Sequence, residues 1–158
     1  MDNSKTTNKV KSKDYFLDDV TRCVITKSIE DFCIHFKEYL NFSRIQLNLK
    51  INEKKYITDL VLYNTLWNSY VLIIIKSGKI NYHDIREVYN DLSCLAVLKN
   101  DNIINFPFAV IIGILDNNVT IQYVTLGMRS DLFISKFYPF FSIIQELKRI
   151  ILEILNMH

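Results

Sequence analysis

The run Tyr70-Val71-Leu72-Ile73-Ile74-Ile75-Lys76-Ser77-Gly78-Lys79 decides how the rest of the chain is read. Residues 71–75 are apolar without alternation. That suits a strand buried on both faces, in the middle of a sheet covered by helices. Ser77-Gly78 breaks the run, and Asn81 is placed to cap a helix with Asp84 in its first turn. Ile85, Val88, Tyr89, Leu92, Leu95 and Ala96 then recur at helical spacing as a buried stripe, which the polar run Lys99-Asn100-Asp101-Asn102 ends. Upstream, Ile57-Thr58-Asp59-Leu60-Val61-Leu62-Tyr63 is a second β-rich run, joined to the first by a connection that holds Trp67. The unit 56–98 therefore reads as strand, connection, strand, helix.

Before this unit, Ser28-x-x-Asp31 resembles a capping box. It predicts a helix whose apolar face is Ile29, Phe32, Cys33, Phe36 and Leu40, with His35 off that stripe. Residues 15–26 give no assignment. Ile45, Leu47, Leu49 and Ile51 alternate with polar residues, which predicts a strand with one wet face, and Asn52-Glu53-Lys54-Lys55 supplies a polar turn. After the unit, residues 108–115 form another continuous apolar run. Asp116-Asn117-Asn118 is a hairpin-type turn into a strand carrying Val119, Ile121 and Tyr123. Pro139 fits the first turn of a last helix, 139–155, whose wide apolar face is Phe140, Ile143, Ile144, Leu147, Ile150, Ile151 and Ile154. The predicted order is α-β-β-β-α-β-β-α, an α/β domain with a mixed five-stranded sheet flanked by helices.

Composition bounds the function. The chain has 158 residues, 49% apolar and 23% charged, and a net charge of +2, which permits nucleic-acid binding without demonstrating it. Residues 1–13 carry Lys5, Lys9, Lys11 and Lys13 with almost nothing apolar, and are expected to be a mobile basic tail before one globular domain, 14–158. Cys23, Cys33 and Cys94 lack the paired spacing of a zinc site, so no metal is expected from them. Small reduced thiols, the absence of an apolar signal segment and the absence of a spanning helix point to an intracellular protein, cytoplasmic or nuclear, with no membrane partner. Three glycines exclude a Gly-rich phosphate loop, and none of the common catalytic motifs is present.

The predicted first helix, then Thr58-Asp59-Leu60-Val61-Leu62, then Val71-Leu72-Ile73-Ile74-Ile75-Lys76-Ser77-Gly78-Lys79 and the helix after it, resemble the core of the restriction-endonuclease-like superfamily. That resemblance implies an Asp on one strand and an acid-x-Lys signature at the end of the next. The two carboxylates hold a divalent metal that activates water, and the lysine helps place that water. Asp59 and Lys76 match these positions, but Ile74 stands where the acid belongs. One carboxylate and an isoleucine make a poor Mg²⁺ site. Some relatives supply the missing acid from the following helix, where this chain has Asp84 and Glu87. If the domain were active, Asp59, Lys76 and Glu87 would carry catalysis with Mg²⁺. Ile85-Arg86-Glu87-Val88, Phe108-Ala109-Val110-Ile111-Ile112 and Asn118-Val119-Thr120-Ile121-Gln122-Tyr123 are similar to the last helix and hairpin of the small non-catalytic subunit of tRNA-splicing endonuclease. This likeness covers under half the chain, and the long helix after the hairpin departs from it. It implies a structural nuclease partner without a Tyr/His/Lys triad.

Three strands, a helix and two strands is also the order of an OB-type barrel, a single-strand binder that combines basic grooves with aromatic platforms. In either fold, Lys54, Lys55, Lys76 and Lys79 are candidate phosphate contacts, and Tyr63, Trp67 and Tyr82 are candidate stacking groups. The plainer reading makes Tyr63 a cross-strand packing residue and Trp67 a plug on the core. The function expected is non-catalytic nucleic-acid binding or a structural role in a nucleic-acid-processing complex. The alternatives are a metal-dependent nuclease and a protein-interaction module, with partner binding or self-association through the helix 139–155.

Overall fold

The computed structural model describes residues 17–36, 42–44, 50–51, 54–55, 60–65, 68–98, 107–127 and 130–157. Their elements run α1 (Asp19–Asp31), one π-helical turn (Phe32–Phe36), β1 (Phe42–Arg44), β2 (Lys50–Ile51), β3 (Lys54–Lys55), β4 (Leu60–Asn64), β5 (Ser69–Ser77), α2 (Tyr82–Leu98), β6 (Phe108–Leu115), β7 (Asn118–Thr125) and α3 (Ser130–Met157). The main sheet has the order β1-β4-β5-β6-β7, with β5 and β6 parallel and the other neighbours antiparallel. Four strands of five to nine residues make its body, and the three-residue β1 pairs at the edge. The expected mixed five-stranded sheet thus consists of four strands of that length and a short fifth at the edge, which is not the predicted first strand. Residues 45–49, the centre of the predicted first strand, lie outside the described residues. Lys50–Ile51 instead pairs with Lys54–Lys55 in a separate two-stranded ribbon.

Both faces of the sheet are covered, which is why β5 and β6 are apolar without alternation. On one face Leu62, Val71, Ile73, Ile75, Val110 and Ile112 pack with Ile25 and Ile29 of α1 and with Ile144, Leu147 and Ile151 of α3. On the other, Leu72, Ala109 and Ile111 pack with Val88, Leu92 and Leu95 of α2. Among the described strands the sheet is open, ending at β1 and β7, so the barrel alternative is set aside.

Helix boundaries carry two corrections. Asp18 caps α1, its carboxylate accepting from the Thr21 N–H at 2.7 Å, and Ser28 lies inside the helix rather than at its start. An Asp cap offers a charged acceptor at the positive end of the helix, which outweighs the looser Ser28-x-x-Asp31 pattern. α3 begins at Ser130, so Pro139 sits within it rather than in its first turn. A proline there forgoes one intrahelical bond, and the apolar face that follows, with Ile143, Ile144, Leu147 and Ile151 buried, is what holds the helix against the sheet.

α2 follows its predicted bounds. Asn81 and Asp84 form a reciprocal cap: the Asp84 N–H donates to Asn81 Oδ1 at 2.9 Å and the Asn81 N–H to Asp84 Oδ2 at 2.8 Å. Tyr89, expected in the buried stripe, is 45% exposed, because Val88, Leu92 and Leu95 already fill the contact with the sheet.

Candidate functional site

Side chains alternate along a strand, so Leu72, Ile74 and Lys76 share the α2 face of β5. Leu72 is fully buried, Ile74 is partly buried against the same cluster, and Lys76 emerges where the strand ends. The spacing of an acid-x-Lys signature is therefore met on one face, but its first member is an apolar side chain packed, like Ile80 and Ile85, against the α2 cluster.

What meets Lys76 is Asp84. The Lys76 ammonium donates to Asp84 Oδ2, the same oxygen that accepts from the Asn81 N–H. The side chains are 25% and 21% exposed, so this is a half-sheltered pair rather than a loose surface one. Its geometry follows from the backbone between the two residues. Gly78 takes φ +106°, a conformation that disfavours any side chain, and its N–H donates to the Ile114 carbonyl at 2.7 Å. That bond ties the end of β5 to β6. Gly113 lies beside Lys76 in the β5–β6 register, and a Cβ built on it would sit 2.7 Å from Ile80 Cγ1 and 2.8 Å from Thr120 Oγ1. The missing side chain at 113 is the space into which Ile80 folds, and this brings the first turn of α2 over Lys76.

The end of β5 is also braced by α1. Arg22 Nη1 donates to the Ile75 carbonyl at 2.5 Å, and the Leu17 N–H donates to Ser77 Oγ at 3.0 Å. Sequence reading missed Arg22 because it falls in 15–26, which gave no assignment. Asp18 spaced three residues from Thr21, ahead of Ile25 and Ile29, is the signal that would have found it.

The other candidates are distributed rather than gathered. Glu87 lies near His83, 3.1 Å from its Nε2, not at Lys76. Of the two acids expected on the helix, Asp84 is the one at the locus. Tyr63 stands opposite Tyr70, edge to face at 4.9 Å, and its hydroxyl donates to Asn68 Oδ1 at 2.9 Å. Six residues along β5 separate Tyr70 from Lys76, roughly 20 Å, so Tyr63 and Lys76 lie at opposite ends of the strand. Lys79 is exposed and makes no ion pair among the described residues. Tyr82 is 78% exposed. It precedes Asp84 by two positions, about 200° around the helix, and so faces away from Lys76. Lys54 and Lys55 belong to the separate ribbon. Asp59 and Trp67 lie outside the described residues, and the β4–β5 pairing begins at Leu60, opposite Ile73.

For a divalent cation the described residues at this locus offer one carboxylate, with one oxygen already bonded to an ammonium and an amide N–H. Among the described residues no group of three or more His, Cys, Asp or Glu side chains lies together. Mg²⁺ demands several hard oxygen ligands in near-octahedral geometry, and this donor set does not fit it.

An open mixed sheet between helices, with a lysine on the inner strand where an acid-x-Lys signature ends, defines a restriction-endonuclease-like domain. The chain belongs to the YhcG PDDEXK nuclease domain family, whose model matches residues 7–152. No curated protein and no solved structure matches it. Among the described residues no helix is long and apolar enough to cross a membrane.

Proposed function

We propose that this domain is a non-catalytic member of its nuclease family, which binds nucleic acid or serves as a structural subunit of a nucleic-acid-processing complex. One observation carries the reading: Ile74, at the acidic position, is packed into the α2 core, while Lys76 has its charge balanced by Asp84. A catalytic lysine needs to reach a phosphate or a water, and a metal site needs carboxylates free to coordinate. Here the lysine and the nearby acid satisfy each other. Membership of a nuclease family and the exposed cations Lys79 and Arg86 support the nucleic-acid part of the proposal.

The test is a cleavage and binding assay on the same protein. With Mg²⁺ or Mn²⁺, labelled single- and double-stranded DNA and RNA are expected to stay intact, and to be retained by the protein at low salt. Cleavage that disappears in Asp59→Ala would refute the non-catalytic reading. It would favour a second reading, in which Asp84 has replaced the acid missing at 74, a reading supported by its position at Lys76. In that case Asp84→Ala abolishes cleavage and Glu87→Ala leaves it unchanged. A protein with neither cleavage nor low-salt affinity would move the assembly role to first place.

A further inference from the structure

The outward face of α2 carries a row that the domain's own packing does not use. Tyr82, Arg86, Tyr89, Ser93 and Val97 follow one another by four, three, four and four residues, which places them on one stripe of the helix. Tyr82 is 78%, Tyr89 45% and Val97 73% exposed. Arg86 is exposed and makes no ion pair or hydrogen bond among the described residues. Glu87, the next residue along the helix, lies near His83. It projects about 100° around the helix from Arg86. The stripe therefore presents two phenol rings on either side of an unbalanced guanidinium, with Lys79 exposed just before the helix.

We infer that this stripe is a binding surface for single-stranded nucleic acid, with Tyr82 and Tyr89 stacking on bases and Arg86 on the phosphate between them. The inference rests on the nucleic-acid reading above and names its ligand class. The tyrosines are seven residues apart, a rise of roughly 10.5 Å along the helix. That is too far for both to touch one base, and leaves the guanidinium midway along the strand that joins two. A duplex keeps its bases stacked and out of reach of such rings, whereas a single strand offers its π-faces to any aromatic platform. Charge decides against a neutral or basic helix as the occupant, since such a partner would bury Arg86 beside the tyrosines without a bonding anion. A phosphate backbone supplies that anion at every nucleotide.

The experiment measures affinity of the full chain for a labelled oligothymidine and for a duplex of the same length, across a salt series. Binding of the single strand in preference to the duplex is expected. Tyr82→Ala and Tyr89→Ala should each weaken it by roughly 5- to 150-fold with the salt slope nearly unchanged, and Tyr→Phe at either position should retain it. Arg86→Gln should flatten the slope by about 0.7. These side chains are exposed, so melting temperatures should match wild type, which separates lost contacts from lost folding. If wild type binds and the double Tyr82→Ala/Tyr89→Ala variant binds equally well, the stripe is not the surface, although the proposed function survives. If wild type shows no affinity at low salt, the nucleic-acid reading falls and this inference with it. A stripe whose loss instead dissociates a protein assembly would overturn the ligand class.

Discussion

Gly113→Ala should destabilise the domain, although a glycine-to-alanine change in a strand is ordinarily favourable. Gly113 does not take a left-handed conformation. A methyl group there would by itself stabilise by about 0.4–1 kcal/mol, by narrowing the unfolded ensemble. Against this stand three contacts. The added Cβ would lie 2.7 Å from Ile80 Cγ1, 2.8 Å from Thr120 Oγ1 and 3.1 Å from the Gly78 carbonyl. Thr120 is exposed and can rotate away, giving up a long bond of 3.4 Å from its hydroxyl to the Gly113 carbonyl. Ile80 has less room, being packed against the α2 core, and the Gly78 carbonyl is backbone. Overpacking of this kind costs about 1–3 kcal/mol, so the net loss is on the order of 1–2 kcal/mol. For a chain of this size that lowers the melting temperature by roughly 2–8 °C. Urea unfolding of Gly113→Ala, Ile80→Ala and the double variant checks the reasoning. The double variant should be more stable than the sum of the single losses predicts, because removing the Ile80 branch opens the space that the new methyl needs. Gly113→Ala at or above wild-type stability, or a coupling of zero, would refute it.

Four further outcomes are expected. Burial pushes the Cys33 thiol up to about 12, while Cys23 is exposed; a maleimide at neutral pH should label Cys23 in the native protein and Cys33 only after denaturation, as peptide mass mapping would show. Burial also pushes the Tyr123 phenol up to about 12. Its contribution to stability should be complete below about pH 10 and decline as pH rises through its folded value, so native phenolate absorbance should lag that of the unfolded chain. Ile151 is 1% exposed, so Ile151→Asp should unfold the domain, losing far-UV helicity rather than yielding a folded monomer of altered assembly. Asp84→Ala should destabilise more than the Lys76→Met/Asp84→Ala pair does, since the single change strands a half-sheltered ammonium; equal losses would mean that solvent already screens the charge.

The fold was legible where burial leaves a pattern. Residues 71–75 and 108–114 lack alternation because helices lie on both sides of them, and the run of Asn81, Asp84, Val88, Leu92 and Leu95 marks a capped helix in any context. The start of α1 was not legible from Ser28 because a capping pattern is local, while the true cap at Asp18 is recognised once Ile25 and Ile29 are known to face a sheet. Tyr89 fits a helical stripe by spacing, yet spacing does not say how wide the buried stripe is. The width is set by the sheet surface, which Val88, Leu92 and Leu95 fill. The site was half legible. Spacing shows that Ile74 and Lys76 share a face, but whether Asp84 or Glu87 arrives at Lys76 depends on where the connection crosses Gly113.

The presence of Lys76 is therefore weak evidence for catalysis. A lysine at the end of a strand as apolar as β5 needs a partner, since its side chain is only one quarter exposed. In an acid-x-Lys site the neighbouring carboxylates and the metal they hold set that charge balance. Here residue 74 is isoleucine and the ammonium is met by Asp84, which is doubly held, by the ammonium and by the Asn81 N–H of its own cap. The cap fixes the carboxylate without the lysine's help, so the pair costs little extra ordering when it forms. A phosphate arriving at this locus must then compete with a carboxylate already in place, whereas Lys79 and Arg86 meet no such competitor among the described residues. With Lys76 engaged by Asp84, exposed positive charge remains at the start and outer face of α2, on Lys79 and Arg86, where Tyr82 and Tyr89 stand.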